Sequence, residues 1–186
     1  MYRLSKTLPS GKQLLNNINL AFFPGAKIGV LGDNGSGKSS LLKIMAGVDD
    51  TFEGEAQPQK GIRIGYLEQD PKLLKGMTVG QNVEESIGEI RGYLEKYKEL
   101  GVKLGDEGLE EEEQKKVEKE LERVTDQIEA NNGWELDRMV ERALDALRCP
   151  PGDEDVEHLS GGERRRVALC RLLLKRPDLL ILDGKC

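Results

Sequence analysis

The chain has 186 residues, 37% hydrophobic and 33% charged, and its 28 lysines and arginines against 34 aspartates and glutamates leave a net charge of −6. That length suits one well-packed domain with an appendage, and the charge excludes nucleic-acid binding by a uniformly basic surface, though not by a local patch. No run approaches the roughly 18 apolar residues that cross a bilayer, no signal-peptide core opens the chain, and scattered Cys149, Cys170 and Cys186 suggest neither a disulfide framework nor a zinc site, so the expected location is cytoplasmic.

Residues 1 to about 80 hold short β-like runs, "INLAFF", "AKIGVLG" and "IRIGYLEQ", divided by Pro–Gly, glycine-rich and Asp–Asp punctuation. Between them "SLLKIMAG" has helical spacing and stops at Gly47. Strand, glycine loop and helix open an α/β unit. From about 83 to 129 charge dominates. Ile87, Ile90, Leu94 and Tyr97, then Val117, Leu121, Val124 and Ile128, fall at seam spacings on either side of the glycine-rich "ELGVKLGDEGL". An antiparallel helical hairpin is expected there, with a solvated pair of charged helices as the alternative.

Next, "WELDRMVERALDALR" reads as an amphipathic helix over 134–148, with Trp134, Leu136, Met139, Val140, Ala143, Leu144 and Leu147 on its core face. After Pro–Pro–Gly, "HLSGGERRRVALCRLLLKRPDLLILD" reads as loop, helix to about Lys175, turn and strand. Val167, Leu169, Leu172, Leu173 and Leu174 are expected in the core. Arg164, Arg165 and Arg166 point about 100° apart on a helix and cannot make one flat patch.

The chemistry concentrates in "GDNGSGKSS". Gly32, Gly37, Lys38 and Ser39 fit G-x-x-x-x-G-K-[ST], with an apolar run before and a helix after. Glycines there let backbone N–H groups turn toward phosphate oxygens, and the helix N-terminus adds partial positive charge. The expected nucleotide-binding residues are Gly32, Asp33, Asn34, Gly35, Ser36, Gly37, Lys38, Ser39 and Ser40. Lys38 would reach the β- and γ-phosphates and the Ser39 hydroxyl would sit on Mg²⁺. A glycine turn that binds nothing is the bland alternative. A second signal is "LSGGE", Leu159, Ser160, Gly161, Gly162 and Glu163. Ser160 with Glu163 three residues on can simply cap a helix, or the same turn can present a helix N-terminus to a phosphate.

With that pentapeptide the sequence resembles the ATP-binding cassette (ABC) family. The order also fits: phosphate loop, Gln69 after a strand, "LSGGE" signature, then an apolar strand ending in Asp183. "FFPGAKIGVLG", "ERALDALRCP" and "LSGGERRRVALCRLLLKRPDLLILD" are similar to the ABC-F group within it. The resemblance implies an α/β P-loop NTPase cassette with an inserted helical subdomain and a helical-hairpin arm, and with the C-terminal strands of the cassette missing. It divides the chain into a nucleotide-binding core (1–82), a hairpin (83–131), and a signature helix with returning strand (132–186). It implies ATP and Mg²⁺ as cofactors, with Ser39, Gln69 and Asp183 on the metal. The signature would serve ATP held by a second cassette, normally in the same chain. The partner would be the ribosome, through ribosomal RNA and tRNA at the exit site, with no membrane.

Three features depart from the family pattern. Leu8 occupies the neighbourhood of the usual adenine-stacking aromatic, and Tyr2 is the nearest aromatic. The hairpin is acidic, leaving Lys96, Lys103, Lys115, Lys116 and Arg123 to touch RNA. Gly184 replaces the catalytic glutamate, so no catalytic residue is retained and the expected chain is a hydrolysis-deficient piece of an ATPase, by truncation or as a short isoform. The competing readings are a transporter ATPase subunit and a non-hydrolysing nucleotide-binding protein.

Overall fold

The computed structural model describes residues 1–106, 108 and 110–184. Glu107 and Leu109 of the glycine-rich turn, and Lys185 and Cys186, lie outside the described residues. The chain divides into two compact units, Met1–Gln69 together with the chain from Arg176 onward, and Asp70–Lys175.

In the first unit, β1 (Tyr2–Thr7) pairs antiparallel with β2 (Gln13–Ile18) on one edge and with β3 (Glu53–Glu55) on the other. Helix α1 (Lys38–Met45) buries Leu41 and Ile44 against Leu4 and Leu15 of this sheet. A second sheet pairs β4 (Ile64–Leu67) with β5 (Leu179–Leu182) in parallel, Ile64 opposite Leu179 and Leu67 opposite Leu182. Asp178 sets that register. Its N–H donates to the Arg63 carbonyl at 2.8 Å, and its carboxylate accepts the Arg63 N–H at 2.9 Å. Lys6, buried on β1, satisfies its ammonium with Asp49 Oδ2 at 2.6 Å, Thr51 Oγ1 at 2.7 Å and the Thr51 carbonyl at 3.0 Å.

One expectation fails here. "AKIGVLG" forms no strand, and "INLAFF" contributes only Ile18 to one. A strand exists through a neighbour that takes its amides and carbonyls, and among the described residues β4 and β5 pair with each other without a third strand. Ile28, Val30 and Leu31 are accordingly exposed rather than buried.

The second unit is helical. Helix α2 (Val79–Leu104) starts four residues before the expected hairpin boundary because Thr78 and Gln81 form a capping box. It continues through Gly101, expected in the turn, and ends at Leu104, where the Gly105 cap N–H reaches the Gly101 carbonyl. Helix α3 (Glu111–Ala130) returns along it. Leu100, Val124 and Ile128 are buried between them, with Tyr93, Leu94, Tyr97, Val117 and Leu121 packed around, so the helical hairpin is real. Of the five cations offered for RNA, Lys96 pairs with Glu120 across the hairpin and Lys115 with Glu111 along α3.

Helix α4 (Leu136–Ala146) follows a 3₁₀ turn at Gly133–Glu135, and α5 (Gly161–Leu174) completes the unit. Val79, Val83 and Ile87 of α2, Leu136 of α4, and Val167, Cys170 and Leu174 of α5 share one core. Burial pushes the Cys170 thiol up to about 12, so it behaves as a core hydrophobe. Among the residues expected in the core, Leu169 and Leu172 are only half-buried, and two are exposed. Leu173 is 39% exposed, and Trp134 is 51% exposed. The 3₁₀ turn takes Trp134 out of the helical period, and its ring instead meets Tyr97 edge to face at 4.9 Å. Asn82 is fully buried and ties the segment before α2 to the helix, accepting from Leu74 N–H at 2.8 Å and donating to the Leu74 and Thr78 carbonyls at 3.1 Å. No helix among the described residues is long and apolar enough to cross a membrane.

The Lys6 contact yields an acid-sensitive element. The Lys6 and Thr51 hydrogen bonds hold the Asp49 carboxyl down at about 2, against an ordinary 3.8. A depressed folded-state value contributes stability that is full above the ordinary value and is lost as pH falls through about 2. Asp49→Asn should therefore be less stable than the parent at pH 6, and the gap should close between pH 4 and pH 2. Urea denaturation across that range measures it; a gap independent of pH would contradict the assignment.

Candidate functional site

The phosphate-loop segment lies in the first unit between β2 and α1. Gly37 is the N-cap of α1 in the left-handed region, at φ 94°. A Cβ there would stand 3.0 Å from Leu14 Cγ and from Leu15 Cδ2. The loop is therefore pressed onto β2 with no room for a side chain, and a glycine is required by both space and backbone. Gly35 is also left-handed, at φ 79°, and Ser36 N–H closes a turn onto the Asp33 carbonyl at 3.2 Å. Gly32, Asp33, Asn34, Gly35 and Ser36 are exposed. Lys38 folds back over this loop, its Nζ donating to the Gly32 carbonyl at 2.6 Å and the Asp33 carbonyl at 2.7 Å. A flexible ammonium held by two neutral carbonyls can exchange them for phosphate oxygens, which bind it more strongly. Ser40 is half-buried on the first turn of α1.

Ser39 and Asp183 meet from distant parts of the sequence. Ser39 Oγ donates to Asp183 Oδ1 at 2.9 Å across 144 positions of sequence. Asp183 is 7% exposed and stands just past β5, its N–H bonded to the Leu67 carbonyl of β4 at 2.9 Å. Gln69 leaves the same end of β4 two residues after Leu67 and is exposed. Gly184 follows Asp183, half-buried and with no side chain to offer.

The donor set fits Mg²⁺. A hydroxyl and a carboxylate are hard oxygen ligands, and Mg²⁺ is commonly held by one or two such groups plus nucleotide phosphates and water. Among the described residues no group of three or more His, Cys, Asp and Glu could hold a metal alone, so a cation at Ser39 and Asp183 would need those further ligands. Gln69 can supply a carbonyl oxygen at the edge of the same strand end.

Sequence reasoning missed Tyr66. Its hydroxyl reaches Asp183 Oδ2 at 3.2 Å. Burial, then the Asp183 charge, push its phenol up to about 12, so it stays protonated and donates. The register that puts β4 beside β5 was not readable from either strand alone.

The signature residues belong to the second unit. Leu159 is buried in its core. Ser160 is the N-cap of α5 in a capping box: Ser160 N–H and Oγ–H donate to Glu163 Oε2 at 2.8 and 2.6 Å, and Glu163 N–H donates to Ser160 Oγ at 3.3 Å. The Ser160 hydroxyl, then its N–H, hold the Glu163 carboxyl below its ordinary value. Gly161 and Gly162 are exposed on the first turn. Capping and presentation are therefore compatible: the box occupies Ser160 and Glu163, and the two glycines leave the helix N-terminus uncovered by side chains. Arg164 donates to the Leu159 carbonyl at 2.6 Å, and Arg166 to the Arg148 carbonyl at 3.1 Å, so the arginine run fastens this turn. The candidate adenine neighbours are separate: Leu8 closes the turn after β1, and Tyr2 carries the Arg3 guanidinium 5.1 Å from its ring centroid.

A family model described as ABC transporter matches residues 15–185. The energy-dependent translational throttle protein EttA of Haemophilus influenzae is 52% identical over 98% of this chain, which covers 32% of that relative. EttA of Escherichia coli K12 is 49% identical over the same share, and EttA of Mycobacterium tuberculosis H37Rv 47% over 92%. The chain thus spans about a third of the length of these relatives. A solved bacterial Atm1-family ABC exporter with ATP bound aligns over 98% of this chain and 28% of its own, with a TM-score of 0.59 and 20% identity, a likeness of fold.

Proposed function

The chain belongs to the ATP-binding cassette family, and from that premise we propose that it binds ATP with Mg²⁺ as one cassette of an ABC-F type translation factor. The observation that carries this is the Ser39–Asp183 hydrogen bond at 2.9 Å beside the glycine loop, which joins a phosphate-loop hydroxyl to a strand-end carboxylate. Lys38 and the backbone N–H groups of residues 32–39 bind the phosphates. Ser39 and Asp183 hold the metal, with Gln69 at its edge. Bound Mg²⁺ would draw negative charge from the terminal phosphates and fix their orientation. Gly161 and Gly162 present the N-terminus of α5 to the nucleotide of a second cassette.

Turnover needs a group that takes a proton from water. Gly184, next to Asp183, has none, and the proposed activity of this chain alone is nucleotide binding without steady hydrolysis. The ribosome reading is supported by identity to relatives named for throttling translation and by the α2–α3 hairpin, which suits an arm reaching a partner from a cytoplasmic factor. Its internal ion pairs and acidic excess favour contact through a few residues over a phosphate-binding face.

Lys38→Ala should weaken Mg–ATP binding at least tenfold by removing a charge-assisted phosphate contact, measured by calorimetry on the full chain; equal affinities would take the loop out of the site. Phosphate release should stay at the Lys38→Ala background, and steady turnover above it would mean another residue supplies the base.

Deleting residues 88–128 should abolish co-sedimentation with purified ribosomes while circular dichroism reports the remaining helices intact. Undiminished sedimentation would reduce the hairpin to a solvated spacer.

A further inference from the structure

An aspartate just past the end of a strand has no ladder of its own to orient its side chain. Asp183 is in that position, yet its carboxylate is held from two directions. Ser39 Oγ, from α1, sits on Oδ1 at 2.9 Å, and Tyr66 Oη, from β4, sits on Oδ2 at 3.2 Å. The Asp183 N–H is bonded to the carbonyl of Leu67, the residue after Tyr66, at 2.9 Å. Strand β4 therefore grips both the backbone and the side chain of Asp183, and two residues beyond Leu67 it supplies Gln69.

We propose that Tyr66 is a positioning residue of the metal–nucleotide site: its hydroxyl holds Asp183 Oδ2 and thereby keeps Oδ1 turned toward Ser39. Without that donor the carboxylate loses one of its holds, and the plane it presents to Ser39 is less firmly set. Phenylalanine would fill the same space on β4 and leave the strand pairing untouched. The phenolic oxygen, not the ring, is the functional part. The Tyr66 hydroxyl reaches Asp183, and its effect runs through that carboxylate. This inference rests on the Mg–ATP reading.

The test compares the full chain with its Tyr66→Phe, Asp183→Asn and double variants. ATP affinity is measured by calorimetry in Mg²⁺ and in EDTA, with thermal unfolding alongside. The expected result is that Mg²⁺ strengthens ATP binding about tenfold less in Tyr66→Phe than in the parent, the size of one hydrogen bond to a charged group, with affinity in EDTA unchanged. In the Asp183→Asn background the tyrosine substitution should have no further effect. An undiminished Mg²⁺ enhancement in Tyr66→Phe would overturn the proposal. So would equal weakening with and without Mg²⁺, which marks a purely structural role, or an undiminished Tyr66 effect once Asp183 is gone. If the parent itself fails to bind ATP, the Mg–ATP reading fails first and this inference with it; if it binds but the Mg²⁺ enhancement ignores Tyr66, this inference alone fails.

Discussion

The metal–nucleotide site proposed for the first unit depends on one long-range hydrogen bond, Ser39 Oγ to Asp183 Oδ1. A phosphate loop by itself offers backbone N–H groups and a lysine, which can hold an anion but not place a metal. The carboxylate that would complete the proposed cation site arrives from 144 positions away, just past the last described strand. Its arrival requires that β5 pair in register with β4, and that register is held by Asp178 against Arg63 at one end and by Asp183 N–H on Leu67 at the other. A one-residue slip would turn the side chains of β5 to the opposite face and carry Asp183 away from Ser39. The two-stranded parallel sheet is small, but its alignment decides whether the unit has a site or a glycine turn.

The second unit solves a different problem. Helix α5 begins with two exposed glycines, and a bare helix start leaves backbone N–H groups without partners. The capping box of Ser160 and Glu163 satisfies the ends of that turn while Gly161 and Gly162 keep it open. Arg164 and Arg166 spend their hydrogen bonds on the Leu159 and Arg148 carbonyls, holding the turn from outside. The same helix buries Val167, Cys170 and Leu174 against α2, and α2 runs unbroken from that core into the hairpin seam at Leu100. Arg171 adds hydrogen bonds to Asn82 and Glu85 of α2. Signature turn and hairpin thus grow from one helical core.

What was legible in the sequence was local. The glycine loop before α1, the α1 stop at Gly47, the Ser160 cap and the hairpin seam each follow from residue types at short spacings, and the structure contains all four. What was illegible needed a partner. "AKIGVLG" has the composition of a buried strand, yet composition cannot supply the neighbour that makes it one, and Ile28 and Leu31 are exposed. Trp134 looked like core by helical period, but the period begins at Leu136, after a 3₁₀ turn. Gly101 looked like a turn residue, but the helix runs on to Leu104 and it is Gly105 that caps it. Nothing within "IRIGYLEQ" singles out Tyr66, and its hydrogen bond to Asp183 exists only through the β4–β5 register. Strand β1 was missed because Arg3, Ser5 and Lys6 mask it; Lys6 is buried there solely because Asp49 and Thr51 satisfy its ammonium.

The central claim is that the loop and the strand-end aspartate form one metal–nucleotide centre. Substituting paramagnetic Mn²⁺ for Mg²⁺ in the presence of ATP and recording backbone amide resonances tests it most directly, because line broadening falls steeply with distance from the ion. The account predicts that Ser39 and Asp183 broaden first, with Lys38, Gly184 and Tyr66 close behind, and that omitting ATP removes the effect at low Mn²⁺. Broadening centred elsewhere, or at Ser39 without Asp183, would contradict it.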